Sequence, residues 1–145
     1  METDRKFIKL LNTQLQGMII GDIMEPEVVT INEDATLEQL DSLITEYKHT
    51  GYPVVNNENK TVGVITHKDL LRVDKEDWSK ILVKDRMSTR LVCVSQIDSV
   101  IEAVEKMTEE GIGRLLVMEG DSLVGIVSRS SIMDKVTRLT QENKL

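Results

Sequence analysis

Hydrophobic residues recur with two different periods along this chain, and the two periods alternate in the same order twice. An interval of three or four predicts a helix with one buried face, and it is kept by Leu37, Leu40, Leu43, Ile44 and Tyr47. Two short apolar runs joined by a polar turn follow within residues 52–65 and predict a β-hairpin. Residues 28–73 therefore have the predicted order strand, helix, strand, strand, helix, and residues 91–139 repeat it.

The predicted helices begin at hydroxyl side chains with capping-box spacing. Thr36 precedes Gln39 by three positions at the start of one helix. Thr66 precedes Asp69 by three, directly after the apolar strand of residues 62–65. In this arrangement the hydroxyl accepts a bond from the third helical amide, and the third side chain bonds back to the cap. A strand that runs straight into a helix start presents unpaired amides and partial positive charge, so it can hold a phosphate.

The offset between the two copies is nearly constant. It is 62 positions for two pairs: Gly63 with Gly125, and Thr66 with Ser128. It is 63 positions between Met24 and Met87, near the start of each copy. We attribute the change to an earlier end of the second copy's first helix, at residues 111–113. Two strand-cap-helix segments at a fixed offset indicate a duplicated unit.

These patterns divide the chain into five segments: an N-terminal helix (1–20), repeat 1 (21–73), a charged connector (74–82), repeat 2 (83–138) and a C-terminal tail (139–145). The N-terminal helix belongs to neither repeat, and its apolar stripe is Phe7, Leu10, Leu11, Leu15 and Met18. Pro53 should start its strand or lie on a sheet edge, because proline cannot donate to a ladder. Trp78 in the connector is expected to plug the space between the repeats, with ligand stacking as the alternative.

Composition narrows the class of function. The chain has 145 residues, 40% of them hydrophobic and 30% charged, which fits a soluble globular domain. Its single cysteine, Cys93, fits a reducing compartment, and we expect the cytoplasm. Its formal net charge of -7 argues against a dedicated binder of nucleic acid or of anionic membranes. The sequence has no apolar run long enough to span a membrane, no metal-ligand spacing and no catalytic constellation. We therefore predict a protein that is not an enzyme and has no prosthetic group or metal.

Each repeat resembles a CBS motif, the module named after cystathionine beta-synthase, so the chain resembles a tandem CBS pair. In repeat 1 the matching segments are Asp22-Ile23-Met24, Gly51-Tyr52-Pro53-Val54-Val55 and Gly63-Val64-Ile65-Thr66-His67-Lys68-Asp69. In repeat 2 they are Arg86-Met87, Gly113-Arg114-Leu115-Leu116-Val117 and Gly125-Ile126-Val127-Ser128. The resemblance implies an α+β fold of α/β-type CBS pairs, in which two β-α-β-β-α repeats pack sheet to sheet with pseudo-twofold symmetry. It also implies homodimers and a regulatory role.

The resemblance further implies a ligand, an adenosine nucleotide (AMP, ADP, ATP or S-adenosylmethionine), bound in a cleft between the two motifs. In the family pattern Asp69 would accept bonds from both ribose hydroxyls, because a carboxylate has two acceptor oxygens. Thr66 would offer its hydroxyl and the helix-start amides to phosphate. The other implied contacts are Tyr52, Pro53 and Ile65 beside the adenine, and Met87 and Val92 from the entry segment of the opposite repeat.

Repeat 2 departs from this pattern. Ser131 stands where the acid should be, and one hydroxyl cannot replace a carboxylate on a diol. Arg114 sits where some nucleotide-sensing pairs, such as the gamma subunit of AMP-activated protein kinase, place a phosphate-binding arginine. Ser128 and Arg129 are the remaining candidate contacts. We therefore expect one competent site, built on Thr66 and Asp69.

Other interpretations stay open. Thr66 and Asp69 have an adequate explanation as a helix cap alone, worth roughly 0.5–2 kcal/mol. The chain could then be a ligand-free CBS dimerisation platform. It could also be the cytosolic regulatory part of a larger protein, such as a membrane metalloprotease of the site-2 type. The expected partner in either regulatory case is a regulated protein or a fused domain, with no nucleic acid and no direct membrane insertion.

Overall fold

A computed structural model describes residues 5, 6, 9, 12, 13 and 15–142, apart from the side chain of Thr140. It divides into two compact units: unit 1 comprises Met1–Glu27 and Val92–Leu145, and unit 2 comprises Val28–Leu91. Each unit contains a three-stranded sheet and helices, which confirms the predicted mixed α and β fold class. Most of the stripe predicted for the N-terminal helix, namely Phe7, Leu10 and Leu11, lies outside the described residues.

Unit 2 has the predicted order of elements: β1 (Ile31–Asn32), α1 (Leu37–Tyr47), β2 (Gly51–Val55), β3 (Thr61–Thr66) and α2 (His67–Leu71). Strand β2 is central, parallel to β1 and antiparallel to β3. Strand β1 is shorter than the apolar run at 28–31 predicts. The core of the unit is aliphatic except for one tyrosine: Ile31, Leu37, Leu40, Tyr52, Val54, Ile65, Leu70, Val73 and Val83.

Unit 1 repeats this order: β4 (Cys93–Val94), α3 (Val100–Glu110), β5 (Arg114–Glu119), β6 (Ser122–Ser128) and α4 (Arg129–Glu142). Its sheet has β5 in the centre, again with one parallel and one antiparallel neighbour. Leu15 and Ile20 are fully buried in its core. The repeat predicted from the sequence is therefore confirmed as two copies of one arrangement of strands and helices.

The helix caps follow the sequence closely. Thr36 Oγ1 accepts from Gln39 N at 3.2 Å, and Gln39 Oε1 accepts from Thr36 N at 2.8 Å, so the predicted capping box is present. Helices α1 and α3 both contain eleven residues. Each is followed by a residue in the left-handed conformation, Lys48 with φ 61° and Gly111 with φ 65°. The second helix thus does not end earlier than the first.

The residue missing from the second copy lies in the hairpin turn, so the predicted place for it was wrong. Val55 pairs with Thr61 in unit 2, whereas Met118 pairs with Leu123 in unit 1. The second turn is therefore one residue shorter. As a result, the strand pair Gly51 with Thr66 corresponds to the pair Arg114 with Ser128: Arg114 replaces a glycine.

Pro53 is the third residue of the central strand β2, which corrects the prediction that it starts its strand or lies on a sheet edge. It lies opposite Val64 of β3. Val64 exchanges its two backbone bonds with Ser88 on its other side, each at 2.9 Å. Strand β1 pairs with β2 only from Val54 onward. The missing N–H of the proline therefore falls where neither neighbouring strand requires a donor.

Each unit is completed by the segment that opens the other repeat. We call residues 21–27 strap 1 and residues 84–90 strap 2. Strap 2 pairs with the free edge of β3 through Ser88 and Val64, and strap 1 pairs with β6 through Glu25 and Ile126. An uncovered edge strand would expose a row of unpaired backbone groups. The compact units therefore cut across the sequence repeats, because each repeat contributes its opening segment to the sheet of the other.

The connector also packs within unit 2. Trp78 is half-buried against its core, and Trp78 Nε1 donates to Val73 O at 2.9 Å. The carbonyl of Trp78 accepts from Glu38 N at 3.1 Å, at the start of α1. Val83, just before strap 2, is fully buried. These contacts hold the connector and the strap on one unit.

Candidate functional site

Thr66 and Asp69 form the capping box that their spacing predicts. Asp69 Oδ2 accepts from Thr66 N at 2.9 Å and from Thr66 Oγ1 at 3.0 Å, while Asp69 N donates to Thr66 Oγ1 at 3.2 Å. Asp69 Oδ1 lies 3.8 Å from a guanidinium nitrogen of Arg72, and the Asp69 side chain remains 21% exposed. The cap thus occupies one carboxylate oxygen and leaves the other, with two lone pairs, open to a hydroxyl donor.

The backbone of α2 offers less to an anion than the sequence predicts. The helix has only five residues, so few aligned peptide dipoles add at its start. Two of its first three amides are already bonded, because His67 N donates to Thr50 O at 2.8 Å and Asp69 N donates to the cap hydroxyl. A phosphate here would therefore depend on side-chain cations, and Arg72 is the one beside Asp69.

Strap 2 covers the strand that leads into this cap. A Cβ placed on Gly63 would lie 2.6 Å from Met87 Sδ and 2.8 Å from the carbonyl oxygen of Ser88. The antiparallel pair of Ser88 with Val64 sets the register of the strap. In that register Arg86 is level with Thr66, since each step along one strand is matched by a step back along the other.

The side chains predicted to flank an adenine have different positions. Tyr52 and Ile65 are fully buried in the core of unit 2. The Tyr52 hydroxyl accepts from His49 N at 3.1 Å and donates to Leu43 O at 3.5 Å, and burial raises the pKa of this phenol. Pro53 is also buried. These three residues therefore form part of the buried sheet beneath the cap. Thr66 and Asp69 form the cap itself, and Met87 of strap 2 packs against Gly63 beside it.

The other predicted contacts belong to unit 1. Arg114 lies opposite Ser128 at the end of the β5–β6 hairpin. Ser128 Oγ accepts from Ser131 N at 3.1 Å, and Ser131 Oγ accepts from Ser128 N at 3.2 Å and donates to Ser128 O at 2.8 Å. Ser131 therefore takes the structural place of Asp69 in the cap, but its one hydroxyl proton is used in the bond to Ser128 O. Arg129 N donates to Gly113 O at 2.8 Å, and the carbonyl of Val92 accepts from Leu116 N.

Unit 1 contains a groove that sequence reasoning missed. Its volume is about 230 Å³, and it lies between strap 1 and one face of α4; its lining residues are Asp22, Ile23, Glu25, Ser131, Asp134, Lys135 and Arg138. Ile23 and Ser131 are the counterparts of Arg86 and Asp69. The groove shows that a strap lines one common cavity with the helix that follows the edge strand paired with that strap. Only the tertiary pairing of the strap brings these distant segments together.

Among the described residues, the structure has neither a metal-binding cluster nor a membrane-spanning helix. In the described part of the chain, no group of three or more His, Cys, Asp or Glu side chains is placed to hold a metal ion. No helix among the described residues is both long enough and apolar enough to cross a membrane. The single cysteine, Cys93, is half-buried in β4, and burial raises the pKa of its thiol against the opposing effect of Lys106.

Comparison with known proteins places these features in a family. The sequence model of the CBS domain matches residues 20–76 and again residues 83–138. An inosine-5'-monophosphate dehydrogenase of Methanocaldococcus jannaschii is 32% identical over 124 residues, and a zinc metalloprotease of the same organism is 32% identical over 135. The matches cover 84% and 93% of this chain. The chain spans only 24% and 37% of the length of those two relatives.

Solved structures agree on the fold. The CBS domain of a bacterial CNNM/CorC family Mg2+ transporter, solved in complex with ATP, superposes with a TM-score of 0.79 at 22% identity. It covers 92% of this chain and 97% of that one. The CBS domain of a membrane protein from Sphaerobacter thermophilus gives a TM-score of 0.74 at 26% identity and covers 92% and 95% of the two chains. With two matched motifs in one chain and two sheets of the same topology, this protein belongs to the CBS domain family as a tandem pair.

Proposed function

We propose that this chain is a regulatory, non-catalytic module that binds an adenosine nucleotide beside Thr66 and Asp69 and relays its occupancy to a regulated protein or a fused domain. The observation that carries the proposal is that only one of the two Asp69 carboxylate oxygens is used by the helix cap. Oδ2 is held by the cap, whereas Oδ1 takes no part in the cap and lies 3.8 Å from Arg72, on a side chain that is 21% exposed. A carboxylate oxygen fixed in this way can accept from a ribose diol without first paying for its own ordering.

Two observations support an adenine nucleotide in particular. The glycine, threonine and aspartate spacing of the family's ribose site is complete in unit 2 and incomplete in unit 1, where Ser131 replaces the acid. A structure with the same fold was solved in complex with ATP. The proposed ligands are AMP, ADP, ATP and S-adenosylmethionine, and one site per chain is expected.

The test separates ligand binding from capping. Asp69→Asn keeps an oxygen that can accept from Thr66 N, but it places an NH2 donor where Oδ1 was. We expect thermal unfolding of the free protein to change little and nucleotide affinity in isothermal titration to fall by about tenfold or more, as for a lost charge-assisted bond. Ser131→Ala, which alters the equivalent cap of unit 1, is the matched control and should leave affinity unchanged.

The alternative outcomes are distinct. A ligand that binds only the folded state adds about 2.7 kcal/mol of stability at 100 times its Kd and therefore raises the melting temperature. If none of the four compounds raises it, the nucleotide-binding proposal fails and the alternative of a ligand-free platform for dimerisation is left. If a compound binds equally well to the wild type and to Asp69→Asn, the site lies elsewhere.

The small share of the dehydrogenase and metalloprotease that this chain spans supports a role as the regulatory part of a larger protein.

A further inference from the structure

The two straps carry opposite charge although they occupy equivalent places. Strap 2 contains three cations and one acid: Lys84, Arg86, Arg90 and Asp85. Strap 1 contains three acids, Asp22, Glu25 and Glu27, and no cation. Both straps pair with the edge strand that leads into a helix cap. The electrostatic surroundings of the two caps are therefore different by construction, beyond the exchange of Asp69 for Ser131.

Within strap 2 the cations are not equivalent. Lys84 Nζ donates to Asp34 Oδ1 at 3.0 Å, and this hydrogen bond raises the pKa of the lysine. Arg86 is exposed and forms no ion pair within the part of the chain that the structure describes. The pair of Ser88 with Val64 places Arg86 level with Thr66. Arg86 is thus the strap cation that borders the cap.

The groove in unit 1 shows which residues surround the position equivalent to Arg86. There the counterpart of Arg86 is Ile23, and it lines one cavity together with Ser131, the counterpart of Asp69, and Asp134, the counterpart of Arg72. In unit 2 the same three positions therefore carry two guanidinium groups and one carboxylate. Arg72 itself is 75% exposed and only 3.8 Å from Asp69 Oδ1, so its guanidinium can turn toward a ligand.

We propose that Arg86 and Arg72 form an anion-binding edge of the unit 2 site and make it select phosphorylated adenosine over S-adenosylmethionine. This inference rests on the proposed function and names the ligand class. A guanidinium binds phosphate oxygens through two parallel N–H donors. S-adenosylmethionine carries a positive sulfonium where AMP, ADP and ATP carry phosphate, and its net charge is positive in spite of its carboxylate. The same two cations therefore favour the phosphorylated class. The two arginine side chains thereby provide the positive charge for an anion that the five-residue helix α2 is too short to provide.

The test uses the full chain and four probes: ATP, AMP, adenosine and S-adenosylmethionine. Isothermal titration of the wild type should give the order ATP, AMP, adenosine, S-adenosylmethionine, with the ATP affinity falling as salt concentration rises. Arg86→Gln should lower ATP affinity by about tenfold and adenosine affinity by less than about twofold, since only the phosphates meet the guanidinium. Lys84→Gln is the matched control: it removes one charge from the same strap, yet the ratio of ATP to adenosine affinity should stay within about twofold.

The outcomes identify which idea fails. Equal losses for ATP and adenosine in Arg86→Gln and in Arg72→Gln, or tighter binding of S-adenosylmethionine by the wild type, overturn the anion-binding edge but leave the nucleotide site in place. Failure of all four probes to bind the wild type overturns the proposed function itself. Arg86→Lys guards against a folding defect, because it keeps the charge and should restore part of the preference for ATP.

Discussion

Gly63 and Met87 are in direct contact: a Cβ on the glycine would lie 2.6 Å from the methionine sulfur. The contact has an equivalent in unit 1, where a Cβ on Gly125 would lie 2.6 Å from Met24 Sδ. In both cases the methionine belongs to a strap and the glycine to the edge strand beneath it. The glycines of the family motif therefore have a packing role here, which is to let the strap approach the sheet closely.

Gly63→Ala should destabilise the protein by about 1–3 kcal/mol, as expected for overpacking. The new methyl group would meet the Ser88 carbonyl oxygen at 2.8 Å, and this oxygen is held by the bond that it accepts from Val64 N. Gly125→Ala should cost less, because its nearest backbone atom, Glu25 O, is 3.1 Å away. Urea unfolding measures both variants. Gly113→Ala is the control, since nothing lies within 4 Å of its Cβ position, and a larger loss there would contradict this account.

Lys48→Gly should stabilise unit 2. Lys48 has φ 61° and ψ 20°, a left-handed conformation that a residue with a Cβ adopts only at a cost. Replacement by glycine removes that cost, although it also increases the entropy of the unfolded chain, so the net gain should be about 0.5–1 kcal/mol. The reciprocal change, Gly111→Ala at φ 65°, should cost a similar amount. Thermal unfolding of the two variants checks the prediction, and shifts of the same sign would refute it.

A fragment that contains residues 28–91 should unfold cooperatively, whereas a fragment of residues 20–76 should not. The first includes the whole of unit 2 with its own strap. The second follows the family match but lacks Trp78, Val83 and the Ser88 pair with Val64. Its edge strand and part of its core would then face water. Circular dichroism during thermal unfolding distinguishes the two fragments. Cooperative unfolding of the 20–76 fragment would show that strap 2 is dispensable.

Cys93 should react slowly with iodoacetamide at neutral pH in the folded protein. Burial raises the pKa of the thiol above its ordinary value of 9.0, and the thiolate is the reactive form. Because the folded state then binds this proton more tightly than the unfolded chain, the contribution of Cys93 to stability falls as pH rises from about 9 through the folded pKa. Alkylation rates between pH 7 and 10 measure the midpoint, with the urea-unfolded chain as reference. A folded midpoint below that of the unfolded chain would contradict the assignment.

Much of this protein could be predicted from local pattern. The capping boxes at Thr36 and Thr66, the hairpins and the order of elements each depend on residues a few positions apart, and the structure confirms them. The duplication also required nothing beyond the sequence, because equivalent residues recur at a nearly constant offset. The spacing of Asp69 from Thr66 predicted the cap, and the bonds between the two residues follow from that spacing. The role of Asp69 as a ligand carboxylate came only from the family resemblance.

What the tertiary structure alone decided concerns contacts between segments far apart in the chain. Which strap covers β3, why Pro53 fits a central strand, and why Tyr52 and Ile65 lie in the core all depend on the partner of each edge and face. A period of two or 3.6 tells which residues share a face, but it does not tell which other segment packs against that face. The position of Arg86 beside the cap is of this second kind, since it follows from the pairing of Ser88 with Val64.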